Sequence, residues 1–324
     1  VAARRAFLAG LAAAAVVPRA ARASEAGRRI GVLSAGNPRS APHWVAFEER
    51  LRELGHAEGA GLALDFRDAL GRVERMGDLA AELAARQPRV LVAGGPEATL
   101  RAVRQAAGTL PIVMIAIDYD PVALGHVGSL ARPAGNVTGL FFRNIELTGK
   151  RLQLLAEVLP GLMRVAVFWD GFSADQFEAA QAAARTLRLQ VVPRELGDPP
   201  YDFEAAFRAV ARERAGALLG LASPLLFRER ARVAELAIRH RLPGIHTASQ
   251  YAEAGAFMSY GVSFRAMFRR AAEYVDRLLK GARPSELPIE QPSSFELVIN
   301  LRTARALGVA VPTALRLRAD ALIE

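Results

Sequence analysis

Short apolar runs rich in β-branched residues alternate with amphipathic stretches along most of this chain, and that alternation limits the folds open to it. Arg29 to Ser34 (RIGVLS), Leu62 to Arg67, Arg89 to Ala93 and Ile112 to Ile117 read as strands. Helical segments separate them: His43 to Leu54, with Trp44, Phe47 and Leu51 spaced three and four apart, then Met76 to Arg86, then one ending at Ala107. Strands and helices in this rhythm predict a parallel sheet covered on both faces by right-handed crossovers. The stretch Leu110 to Leu140 closes this half. Ile112 to Ile117 suits a strand buried on both faces, and it emerges at Asp118, Tyr119 and Asp120. Ligands of open parallel sheets sit beyond the carboxyl ends of strands, so these three are candidates for contact. Asp120-Pro121 equally suits the opening of a helix, because Asp accepts from free amides and Pro is favoured at the first helical position.

The pattern then starts again. After Leu140-Phe141-Phe142 a helix spans Glu146 to Leu159, and Arg164 to Trp169 (RVAVFW) matches RIGVLS in type. Further strands are expected at Gln190 to Arg194, Ala217 to Leu221 and Gly244 to His246, with helices to Leu187, over Phe203 to Arg214 and over Arg228 to His240. This order repeats the first half and predicts a structural duplication. The remainder, with strands at Phe257 to Tyr260 and Phe295 to Ile299 and helices at Phe264 to Leu279 and from Leu301 to Leu307, predicts a chain that returns to the first half and then the second.

Composition narrows the function. A chain of 324 residues, 52% hydrophobic and 23% charged, is globular and long enough for two cores. It has no cysteine, which excludes disulfides, thiolate nucleophiles and Cys-based metal sites. The formal charge of +9 owes four units to Arg4, Arg5, Arg19 and Arg22, and no basic run is interleaved with aromatics, so no nucleic-acid partner is expected. Those arginines flank an apolar stretch from Ala6 to Val17, and Ala21-Arg22-Ala23 has the small-x-small form of a cleavage site. Residues 1–23 are therefore expected to be an export signal. Arg4-Arg5-Ala6-Phe7-Leu8 resembles the twin-arginine motif, and a periplasmic location follows from it.

Five segments carry a family resemblance: IGVLSAGNP (30–38), GSLARPAGNVTGL (128–140), MSYG (258–261), the long run from Phe268 to Gly308, and RADALIE (318–324). Residues 29–324 resemble the ABC-transporter substrate-binding proteins of the tryptophan/tyrosine-binding type, which have the type I periplasmic-binding-protein fold. The resemblance implies an α/β chain of two Rossmann-like lobes with parallel sheets, joined by a hinge of three crossovers. The first lobe is expected to comprise residues 28–141 and 260–288, the second 142–259 and 289–324. It also implies a monomeric receptor that binds an amino acid or an aromatic or aliphatic carboxylate between its lobes and delivers it to an ABC permease. A periplasmic sensor that reports to a signalling partner is the alternative.

Loops after strand ends then give the expected ligand-binding residues: Ser34, Ala35 and Asn37; Gly94, Gly95 and Pro96; Asp118, Tyr119 and Asp120; Trp169 and Phe172; Ser223, His246 and Tyr260. Ser34 to Asn37 and Gly95 to Ala98 each lead into a helix, so two positive helix ends could converge on a carboxylate, or the Gly and Asn could serve only tight turns. Asp118 or Asp120 could accept from a ligand ammonium. Trp169, Phe172, Tyr119 and Tyr260 could sandwich an apolar ligand body, with core packing the competing role of each ring. His246 reads as structural, for no second His or carboxylate stands at ligand spacing. The sequence contains no G-x-x-x-x-G-K-[ST], H-E-x-x-H or G-x-S-x-G, and Ser34 with His246 lacks a third orienting group, so no enzyme, cofactor or metal is expected.

Overall fold

The computed structural model describes residues 28–324 except 60, 198 and 293, and the expected export signal lies outside the described residues. The first sheet is built from β1 (Arg29–Ser34), β2 (Ala63–Asp68), β3 (Val90–Gly95), β4 (Ile112–Ile117) and β5 (Val137–Phe142), in the order β2-β1-β3-β4-β5 and parallel throughout. Helices α1 (Pro42–Glu53), α2 (Met76–Ala85) and α3 (Glu97–Ala107) connect them. The apolar runs are long because both faces are covered. Successive side chains point to opposite sides of a strand, and Ile30, Val32, Val90, Val92, Val113 and Ile115 accordingly share one core with Trp44 and Phe47 of α1. Leu33, Leu91, Ala93, Ile112 and Met114 face the other, with Leu83, Leu100 and Val103 of α2 and α3. Each such aliphatic side chain withdrawn from water contributes about 1.5–3 kcal/mol.

From β5 the chain crosses to the second lobe and forms α4 (Ile145–Val158), β6 (Arg164–Trp169), α5 (Ala174–Thr186), β7 (Gln190–Glu195), α6 (Phe203–Arg212) and β8 (Ala217–Gly220). It continues through α7 (Pro224–Arg228), α8 (Arg230–Arg239), β9 (Gly244–His246), α9 (Ser249–Glu253) and β10 (Met258–Val262). The order β7-β6-β8-β9-β10 copies that of the first sheet, so the expected duplication is present in the topology. Each half also exports its last helix. α4 follows β5 but packs Leu152, Leu154 and Leu155 in the second lobe, while α10 (Phe264–Leu279) follows β10 and packs Phe268, Ala272 and Val275 against the α1 side of the first.

A third crossing brings the chain back to β11 (Phe295–Asn300), antiparallel to β10, then α11 (Leu301–Leu307), α12 (Thr313–Arg318) and β12 (Ala321–Ile323). The result is two α/β lobes with parallel-dominated sheets and three crossovers. β10 remains paired in the second sheet through Val262, and Ile289 still packs in the first-lobe core, so both late crossings fall a little beyond positions 260 and 289. The helix expected to open at Asp120-Pro121 is instead a run of turns over 121–125. Asp120 Oδ1 accepts from the Val122 and Ala123 amides at 2.9 and 3.1 Å, which caps the turn without starting an α-helix. Among the described residues no helix is long and apolar enough to cross a membrane.

Candidate functional site

The carboxyl ends of the two sheets face one another across a cavity with about 580 Å³ of atom-free space, its mouth included. Nine of the residues expected from strand-end loops line it: Ser34, Ala35, Asn37, Gly94, Gly95, Pro96, Asp118, Phe172 and Ser223. Ser34, the last residue of β1, orders the first loop. Its Oγ donates to the Asn37 carbonyl at 2.7 Å and accepts from the Asn37 amide at 3.2 Å and from Trp44 Nε1 at 3.3 Å. That arrangement fills Ser34 with positioning bonds and leaves it without a base. Ser223 caps α7, accepting from the Leu225 and Leu226 amides, and donates to Asp170, which also accepts from Tyr201 at 2.6 Å.

The rest of the wall is aromatic and comes from helix starts. His43 and Trp44 stand in the first turn of α1, Phe264 and Phe268 in the first two turns of α10, and Phe227 on α7. His43 packs edgewise on Phe268 with centroids 4.4 Å apart and on Phe227 at 5.2 Å, while Trp44 meets Phe268 at 4.8 Å and 90°. Such edge-to-face geometry suits the ring quadrupoles. Sequence reasoning placed Trp44 among the periodic apolar residues of its helix and Phe268 within the helix expected over Phe264 to Leu279. What it missed is that the first turn of such a helix reaches past the sheet edge into the cleft.

The second lobe closes on the first through α7. Phe227 reaches the His43 ring, and Arg228 pairs with Asp68 of β2 across the cleft. Gly71 has φ 77, and a Cβ there would lie 2.5 Å from a Leu225 methyl, so the close approach of α7 requires glycine. A second bridge runs deeper, where Gln176 of α5 donates from Nε2 to Asp118 Oδ2 at 3.1 Å.

Five expected residues stand off this wall, each for a reason in the backbone. Asp118 takes φ 65, and the turn it makes sends Tyr119 into the first-lobe core, its ring 6.1 Å from that of His126. Asp120 caps the turn already described. On β6, Phe168 and Trp169 alternate between the two faces of the second sheet, and Trp169 stacks on Phe177 at 4.7 Å. Tyr260 of β10 lies against Phe295 at 6.2 Å. His246 is 1% exposed and stacks on Tyr251 at 4.4 Å, in keeping with a structural histidine.

The wall carries little available charge. Burial, assisted by the Arg230 charge, pushes His43 down to about 3, so its imidazole is neutral at physiological pH. Burial raises Asp118 from the carboxylate range to about 6, while hydrogen bonds from Asn144 and the charge of Arg151 hold it from rising further. No Lys or Arg lines the cavity among the described residues. The site is a largely aromatic box shared by two lobes, suited to enclosing a small apolar body.

The sequence model described as ABC transporter substrate binding protein matches residues 43–323. A curated tyrosine-binding protein of Clostridioides difficile is 23% identical over 268 residues, which cover 81% of this chain and 75% of its own length. A conserved domain protein from Vibrio cholerae superposes with a TM-score of 0.80 at 24% identity, over 91% of this chain and 99% of that one. An ABC domain from Streptococcus pneumonia, solved in complex with L-Trp, gives 0.78 at 22% identity with the same coverage of 91% and 99%. The two-lobed α/β architecture is thus that of the type I periplasmic binding proteins. With the family matched over most of its length, the chain belongs to the ABC transporter substrate-binding proteins.

Proposed function

We propose that this chain is the exported receptor of an ABC importer, which encloses a small solute with a flat or aliphatic apolar body between its lobes and presents the closed form to an inner-membrane permease. The observation that carries this reading is the cavity itself, whose rings are supplied by both lobes: Trp44, Phe264 and Phe268 from one side, Phe172 and Phe227 from the other. A ligand touching both sets favours the closed state over the open one, and that differential contact is what shifts a hinge equilibrium. The tyrosine-binding relative and the L-Trp complex support a ring-bearing solute. The Ala35 and Asn37 amides already donate to the Gly94 carbonyl and to Ser34 Oγ, so a carboxylate on that solute would be met at the start of α3, where no side chain of the cap residue Pro96 takes up the free amides. The basic, cleavable-looking leader supports a periplasmic location, and the monomer is the form in which a single cleft suffices.

The test is a thermal-shift screen of aromatic and aliphatic amino acids and their deaminated acids, followed by calorimetry on every hit. A tight ligand at a hundred times its Kd stabilises the folded chain by about 2.7 kcal/mol. A panel that leaves the melting temperature unmoved, or a compound that is chemically converted, contradicts the receptor reading. Co-purification with a permease rather than a sensor kinase separates import from signalling.

A further inference from the structure

The carboxylate in the cavity wall has its partners before any ligand arrives. Asp118 Oδ1 accepts from the Asn144 amide, and Oδ2 accepts from Asn144 Nδ2 at 3.1 Å and from Gln176 Nε2 at 3.1 Å. The Ile145 amide is a further, weaker donor. A carboxylate offers about four lone-pair sites. The protein supplies donors for all of them.

These bonds continue into the hinge. Asn144 sits on the first crossover, and its Oδ1 accepts from Arg151 Nη2 while its carbonyl accepts from Nη1 at 3.4 Å. Arg151 Nε donates to the Tyr260 carbonyl at 2.7 Å, just before the second crossover. Arg151 is 0% exposed and touches no carboxylate among the described residues, so Asp118, reached through Asn144, is its counter-charge. On the other side, Gln176 is a fixed arm. Its Oε1 accepts from the Ala222 amide at 2.9 Å, and its Nε2 donates to the Ala222 carbonyl at 3.2 Å as well as to Asp118. One chain of hydrogen bonds thus runs from the second lobe through Asp118 to two crossovers, and the step from Gln176 to Asp118 spans the cleft.

We infer that Asp118 is a latch linking cleft closure to the hinge and not the partner of a ligand ammonium, so the solute class is an aryl or alkyl carboxylate that needs no amino group. This rests on the receptor reading above. The remaining wall agrees with it. Asn37 Oδ1 and His43 Nδ1 are the buried side-chain atoms of the wall left without partners, and both belong to neutral groups. An ammonium enclosed among Trp44, Phe264 and Phe268 would lack a charged acceptor, and an unpaired buried charge is strongly disfavoured.

Calorimetry on matched pairs decides it: L-phenylalanine against 3-phenylpropionate, and L-tryptophan against indole-3-propionate, each with the wild type, Asp118→Asn and Gln176→Leu. Gln176 lies outside the wall, so its loss weakens closure without touching the ligand. The expected result is that the deaminated acid binds at least as tightly as its amino acid in the wild type. Both variants then weaken the two members of a pair by the same factor, about tenfold or more, the worth of a hydrogen bond to a charged group. An amino acid preferred tenfold or more, with the preference abolished in Asp118→Asn and kept in Gln176→Leu, overturns the proposal and leaves the receptor reading standing. Folded wild-type protein that binds neither member of either pair removes the proposal and counts against the receptor reading for this ligand class. Should Asp118→Asn fail to fold, Gln176→Leu alone distinguishes equal weakening of both members from weakening of neither.

Discussion

The helices that follow the two hinge strands occupy matching places in the duplicated fold, and each carries an arginine as its seventh residue: Arg151 on α4 and Arg270 on α10. One is buried completely and the other is 41% exposed. Arg270 pairs with Glu290 at 2.6 Å and with Glu273 on its own helix, at the third crossover, in contact with water. Arg151 instead binds two backbone carbonyls and Asn144, with its counter-charge one residue removed. Burial brings Arg151 down to about 10, still charged at neutral pH, while the surface pairing raises Arg270. Topologically equal positions therefore carry unequal energies. The hinge is held by the dry arginine, and the wet one decorates it.

The largest effect should come from removing the buried charge. Arg151→Met leaves the Asp118 carboxylate without its counter-charge, and the expected loss is about 3–5 kcal/mol in chemical denaturation. The double variant Arg151→Met/Asp118→Asn should recover a good part of that loss, since the surviving charge goes too. Equal losses in the single and double variants would detach Asp118 from Arg151 and break the comparison.

A pH series sharpens it by asking how far water is kept from His43 in the cleft wall and from His246 beside Arg151. His43 and His246 fall from 6.5 to about 3 when the chain folds, mainly through burial and, for His246, secondarily through the Arg151 charge. The unfolded chain therefore takes up protons first on acidification. The stability these two supply is fully present above about 6.5 and is lost as pH falls below it, by about 1.4 kcal/mol per pH unit for each histidine. Asp118 acts in the opposite sense, because its folded value is raised from 3.8 to about 6. Its contribution is present below about 3.8 and is lost as pH rises through about 6, so it offsets part of the histidine slope in that window. Denaturation at stepped pH should show stability falling from pH 6.5 to 4.5, and more shallowly in His43→Phe. A flat profile would mean that water reaches these rings.

Smaller effects are expected at the cleft surface. Arg228→Met removes the cross-cleft pair with Asp68, in which the two side chains are 26% and 14% exposed. It should weaken ligand binding by about threefold to tenfold, roughly 0.6–1.4 kcal/mol, with little change in the stability of the separate lobes. Arg270→Met should cost least, below about 1 kcal/mol, because exposed pairs exchange one solvated partner for another. A loss at Arg270 as large as that at Arg151 would show that the two crossovers are mechanically alike after all.

Much of the scaffold is legible in the sequence because a strand buried on both faces leaves an unbroken apolar run. Arg29–Ser34, Ile112–Ile117, Arg164–Trp169 and Gly244–His246 are found with the bounds their apolar runs suggest. Ser249–Glu253, Thr313–Arg318 and Ala321–Ile323 are too short to display a period and pass unseen. The loops that line the cavity follow from strand ends alone, as Ser34, Gly94, Asp118 and Ser223 illustrate. The aromatic box does not, because Trp44 or Phe268 at helical spacing looks the same whether its ring meets a core or a cleft. Nor does the role of Asp118 emerge from its position. Four donors from Asn144, Ile145 and Gln176 converge there only after two lobes come together.

Distance between the lobes tests the account most directly. The chain has no cysteine, so Glu74→Cys and Ala231→Cys place one spin label on the exposed surface of each lobe without competing thiols. Pulsed dipolar spectroscopy on this doubly labelled protein, empty and saturated with a solute proven by calorimetry, should give a broad, longer distribution that narrows and shortens on binding. Identical distributions with and without that solute would contradict a receptor that closes over its cargo.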